Sequence, residues 1–165
     1  MDTTSARPDD LLIDAARRGD LAHLRELLAA GAPVNAQNGK GFSALIVATY
    51  DDQQAAAQLL LEAGADPNLQ DASGNSALMG VSFKGYADCA RLLIAHGADL
   101  NLQNGNGGTA LMFATLFGRN DLVQLLLDAG ADKTIADQRG LTALHLAGQQ
   151  GNETAWALLG GAPAE

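Results

Sequence analysis

Apolar residues in this chain come in short bursts at helical spacing rather than in long runs, and each burst closes on glycine. Leu24, Leu27 and Leu28 share one helical face and are followed by Gly31. The same arrangement returns with the pairs Leu59-Leu60, Leu92-Leu93, Leu125-Leu126 and Leu158-Leu159. Gly31, Gly64, Gly97 and Gly130 step by 33 residues, as do Gly41, Gly74, Gly107 and Gly140, and so do Leu12, Leu45, Leu78, Leu111 and Leu144. A period of that length predicts one supersecondary unit stacked on copies of itself, each needing a neighbour to bury its apolar face. Two helices per unit are expected: over Leu11 to Arg18 and Leu21 to Ala30, then over Ala44 to Asp51 and about Gln53 to Ala63, and onward in the same phase.

The polar positions punctuate these helices. Asp10 is expected to cap the first, and Ser43, Ser76, Thr109 and Thr142 stand where a hydroxyl can accept from the free amides at the start of each later first helix. Asn38, Asp71, Asn104 and Asp137 begin the segments between units, where a short polar side chain bonds the backbone two residues on. Gly85, Gly118 and Gly151 end first helices, whereas Asp52 holds that place in the second unit, so its turn is expected to be the least regular and most mobile. Residues 1 to 9 read as a frayed tail and 162–165 as another, with units at about 10–42, 43–75, 76–108, 109–141 and 142–161. The fifth lacks the closing segment and reads as a terminal cap.

These landmarks resemble the ankyrin repeat over residues 10 to 161, most closely in D-x-x-G-x-T-A-L-H from Asp137 and in G-A-D-x-N at Gly64 to Asn68 and Gly97 to Asn101. The resemblance implies an all-α ankyrin-repeat solenoid of about five helix-pair units with short β-hairpin-like turns and capping units at both ends. It departs from the family pattern where the helix-start proline is Ala44, Ala77, Ala110 and Ala143, and where the histidine is Ile46, Met79 and Met112, leaving only His145. The inter-repeat hydrogen bonds usual for that histidine are therefore expected to be missing from the middle units.

Composition narrows the function. A formal net charge of −9 on 165 residues argues against a general grip on nucleic acid, whose phosphates need a basic surface. No apolar run is long enough for a membrane span and no secretion signal is evident, so the expected location is the cytoplasm, or the periplasm should a signal peptide have been removed. Cys89 reads as a small buried hydrophobe. His23, His96 and His145 fall at different phases in different units, which suits neither a metal site nor a base and nucleophile pair, and Gly105-Asn106-Gly107-Gly108 reads as a hairpin tip rather than a phosphate loop. Neither catalytic residues nor a cofactor are expected.

What remains is a binding surface. The resemblance implies that partners meet the hollow side, at positions flanking the hairpin's Asp and Gly and just before the interhelix turn. Carried onto this chain these positions include Arg17, Arg18, Lys40, Phe42, Tyr50, Ser73, Asn75, Phe83, Lys84, Asn106, Leu116, Phe117, Arg139 and Leu141, with Gln37, Gln70 and Gln103 in the same set. Of seven aromatics, Phe42, Tyr50, Phe83 and Phe117 fall there, while Phe113 points to the core by phase and Trp156 plugs the last unit. The cations Arg17, Arg18, Lys40, Lys84 and Arg139 outnumber the acidic Asp51 in that set. The expected partner is another protein offering an apolar knob with acidic neighbours, met by a monomer of this chain. The resemblance to small stand-alone bacterial members implies inhibition, protection or assembly of an enzyme; a purely structural scaffold is the alternative.

Overall fold

The computed structural model describes residues 7–163. Ten helices are found among them: α1 (Pro8–Arg18), α2 (Leu21–Ala29), α3 (Ala44–Tyr50), α4 (Gln54–Glu62), α5 (Ala77–Lys84), α6 (Ala87–Ala95), α7 (Ala110–Leu116), α8 (Asn120–Asp128), α9 (Ala143–Gln150) and α10 (Glu153–Leu158). The odd-numbered helices stack on one another in one layer and the even-numbered in a second. Bridges between Gln37 and Ser43 and between Gln70 and Ser76 close the hairpins of the first two connections.

Every odd helix after the first is capped as its hydroxyl predicts. Ser43, Ser76, Thr109 and Thr142 accept from the amides of Ile46, Met79, Met112 and His145. The first helix is different: it starts at Pro8, on the uncapped Arg7. Asp10 is therefore not its cap, and Pro8 and Asp9 are helix rather than tail, because proline's fixed φ suits the first helical turn. The rest of that expected tail, residues 1–6, lies outside the described residues. At the other end Ala162 is held, its carbonyl accepting the Trp156 indole N–H at 2.7 Å.

The core is a leucine and alanine stack. Leu60, Leu93, Leu126 and Leu159, the second members of each pair, are buried to 2% exposure or less, and the first members pack half-buried against them. Ala48, Ala114 and Ala147 are buried at the seam between layers. The hydroxyls of Thr49, Ser82 and Thr115, buried at the next position, donate to the carbonyls of Leu45, Leu78 and Leu111, four residues back. Their polarity is thus absorbed within the helix.

Two side-chain ladders tie unit to unit with the same 33-residue logic. Asn35, Asn68 and Asn101 accept from the amides of Asp66, Asp99 and Asp132 at 2.7–2.8 Å. Gln37, Gln70 and Gln103 each donate twice, to a carbonyl in their own hairpin and to one in the next, the last being that of Ala136. These glutamines brace the hairpins, their amide N–H groups committed within the fold. His145 accepts the amide of Thr142, closing its own cap rather than reaching another unit; the Met79 sulfur does the same for Ser76.

The Asp52 turn is regular, against expectation. Its φ of 54° lies in the left-handed region that Gly85, Gly118 and Gly151 occupy, and aspartate is among the residues that enter it most readily. Its carboxylate oxygen also accepts from the Cys89 thiol at 3.5 Å, in the next unit.

Candidate functional site

Residues 33 apart occupy equivalent places on the first-helix face, so the surface is a set of columns. One column reads Arg17, Tyr50, Phe83 and Leu116; another reads Val47, Gly80, Phe113 and Leu146; a third, at the hairpins, reads Phe42, Asn75, Gly108 and Leu141. Where the third unit carries only Gly80 and Asn75, a hollow of about 540 Å³ opens, walled by Phe42, Ile46, Val47, Tyr50, Met79, Phe83 and Phe113 with Arg17 and Asp51 at its edge. A smaller hollow of about 300 Å³ follows, lined among others by Asn106, Met112, Phe113, Leu116, Arg139 and Leu146. Phe113 is the wall between them.

The rings form one connected row. Tyr50 and Phe83 lie parallel, 6.5 Å between centroids; Phe83 meets Phe117 edge to face at 4.6 Å; Phe117 and Phe113 are 6.5 Å apart and nearly parallel. Edge-to-face and offset pairs are the favoured arrangements for aromatic quadrupoles, so the row holds itself in place. Tyr50 is 41% exposed and Phe117 47%, whereas Phe42 and Phe83 are half-buried and packed partly on neighbours. Phe113, expected in the core, is half-buried on this face: its inner side packs on the core and its outer side lines both hollows.

The cations divide. Lys84 holds its ammonium 4.7 Å above the Tyr50 ring, and neither it nor Lys40 makes an ion pair among the described residues. Arg17 reaches Asp14 only at 4.0 Å. Arg18 does not line either hollow; it is bound to Asp14 at 3.1 Å and Asp20 at 3.4 Å, beside His23. Arg139 folds back on Asp137 at 3.0 Å. The Asp137 carboxyl is held below the usual carboxylate range, chiefly by the Leu141 amide, with Arg139 adding to the effect.

Other predicted positions serve the fold first. Asn75 accepts from the Asn104 side chain at 2.9 Å, and the Ser73 and Asn106 carbonyls accept the Gly105 and Gln138 amides of the next hairpin. Leu141 is half-buried against the core. Arg119, unmarked in the sequence reading, donates to the Phe83 carbonyl at 3.1 Å and so fixes the end of α5, from which Phe83 and Lys84 project. Gln53 and Asn152 stand at its phase and likewise donate to the Arg17 and Thr115 carbonyls, which is the periodic signal that would have revealed it.

The family model described as Ankyrin repeats (3 copies) matches residues 12–104 and again residues 78–164, nearly the whole chain. The chain belongs to the ankyrin repeat family. Ankyrin repeats generally serve as protein–protein interaction modules and are typically non-catalytic. No curated protein matches the chain. No group of three or more metal-ligating side chains is found among the described residues, nor a helix long and apolar enough to cross a membrane.

Proposed function

We propose that this ankyrin repeat protein is a non-catalytic module that docks one partner protein on its first-helix face, and so acts as an inhibitory, protective or accessory protein of an enzyme. The observation that carries the docking is the open row of aromatic rings beside a hollow of about 540 Å³. Folding does not require Tyr50 and Phe117 to stand where water reaches them, and large exposed rings beside a cavity are the usual anchors of interfaces. The partner's surface is apolar with acidic neighbours, because Lys40 and Lys84 make no ion pair among the described residues on a chain of net charge −9. The role toward an enzyme rests on the resemblance to small stand-alone members.

The test uses Tyr50→Ala and Phe117→Ala, whose rings are the most exposed. Phe42→Ala is unsuitable alone, since Phe42 packs against the core. Immobilised wild-type protein should retain a specific partner from source extract, and the double variant, unchanged in its urea midpoint, should not. Retention by both would refute the docking face.

A further inference from the structure

We infer that the hollow over Gly80 is the pocket that selects the partner, taking one apolar side chain from a stretch whose flanking residues are carboxylates. This rests on the docking face proposed above and adds a place and a chemistry to it.

Gly80 lies inside α5, its N–H bonded to the Ser76 carbonyl at 3.1 Å, with no left-handed φ to demand glycine. A glycine inside a helix costs about 0.5–1 kcal/mol against alanine. Backbone crowding does not demand it either: an added Cβ would meet only the Tyr50 ring at 3.3 Å, which a shift of a few tenths of an ångström in that exposed ring relieves. At the same phase the neighbouring units carry Val47, Phe113 and Leu146. The missing side chain lets the Tyr50 ring lie close to the helix and opens the hollow beside it.

The chemistry of the occupant follows from what the hollow leaves unsatisfied. Its walls are Val47, Met79, Phe83 and Phe113 with the Tyr50 face. Three of the polar side chains in its lining are engaged by the fold. Asn75 accepts from Asn104, Ser76 from the Met79 amide, and Asp71 from the Ser73 and Asn75 amides. A polar group entering among the apolar walls would lose water and find those acceptors already engaged, whereas an apolar one loses nothing. Around the hollow stand Lys84 over Tyr50 and Arg17 with its long 4.0 Å pairing, against Asp51 alone, so carboxylates beside the anchor on the Lys84 and Arg17 sides find cations.

The test is a titration of ¹⁵N-labelled protein with three blocked pentapeptides: Asp-Glu-Leu-Glu-Asp, the same with central Ser, and the same with Lys flanks. The acidic Leu peptide should shift the amides of Tyr50, Gly80 and Phe83, and the Ser peptide should bind at least about tenfold more weakly, as the loss of an apolar anchor implies. The Lys-flanked peptide should give no saturating shift. Gly80→Leu should abolish the shifts. Gly80→Ala, which adds only a methyl and improves the helix, should raise the melting temperature and weaken binding even if the leucine variant fails to fold. Binding to Gly80→Ala as tight as to wild type, equal binding of acidic and basic peptides, or no shift at Gly80 with any peptide would overturn the inference. So would shifts at Gly80 that appear on concentrating the protein alone, which would make a second copy the occupant. A captured partner that survives Gly80→Leu but is lost with Tyr50→Ala would sink the pocket and spare the docking face.

Discussion

Gln70 separates a bracing role from a binding role. By position it belongs to the surface set that the family resemblance offers to partners, yet its amide donates to the Gly74 carbonyl at 2.7 Å and the Gln103 carbonyl at 3.1 Å. Gln70→Ala removes both bonds and leaves two carbonyls without that donor. Each bond contributes about 0.5–1.5 kcal/mol net, and Gln70 is only half-buried, so water recovers part of the loss and the expected cost is about 1–2 kcal/mol. For a chain of this size that is roughly 2–8 °C in melting temperature. Gln70→Glu should cost more, since a carboxylate oxygen would then face two carbonyl oxygens with no proton between them. Urea denaturation followed by circular dichroism, with wild type and Gln70→Ala side by side, reads the difference as a lower midpoint. An unchanged midpoint together with weaker partner capture would refute the reasoning and return Gln70 to the binding surface.

Three further outcomes are expected. The Cys89 thiol, pushed up to about 12 by burial and by the neighbouring Asp52 carboxylate, should resist disulfide reagents at pH 8 until the chain is unfolded. Its folded value lies above that of the unfolded chain, so stability should fall as pH rises past about 8.5, by at most about 1.4 kcal/mol per pH unit, and Cys89→Ala should flatten that decline in urea midpoints taken at pH 7.5 and 9.5. Asp132, lowered chiefly by the Thr134 hydroxyl and amide, and Asp137, lowered chiefly by the Leu141 amide, stabilise the fold only while ionised. Stability should therefore hold from neutrality down to about pH 4 and drop as pH falls on through the depressed folded values, less so in Asp137→Asn. The Asp52 turn should exchange its amides faster than the Gly85 turn, because a non-glycine residue in the left-handed region costs about 1 kcal/mol and the Asp52 N–H reaches the Thr49 carbonyl three residues back at 3.2 Å, where the Gly85 N–H reaches the Val81 carbonyl four back at 2.8 Å; slower exchange would contradict this.

The columns 33 residues apart made most of the fold and part of the candidate site legible. Cap hydroxyls, hairpin Asx residues and the leucine pairs announce themselves because each answers a local need: a free amide, a tight turn, an apolar face. Tyr50, Phe83 and Phe117 were legible for the complementary reason, as rings at places where no such need exists. Phe113 was misplaced because phase gives a direction but not a depth. Whether a ring at that position sinks or lines a surface depends on what stands beside it in the adjacent unit, and in the preceding one it is Gly80.

By itself the sequence determined the repeat, its period, the two-layer stacking and the face left over once caps, turns and core had taken their residues, since these are set by neighbours along the chain and by copies at a constant step. The tertiary structure alone decided how that face is spent. It committed the Gln37, Gln70 and Gln103 amides as braces between hairpins and tied Arg18 and Arg139 to nearby carboxylates. It left Lys84 on the Tyr50 ring and opened a hollow where Gly80 leaves out a side chain. Those outcomes turn on the sizes and charges of groups in adjacent units, which meet only after the units have stacked.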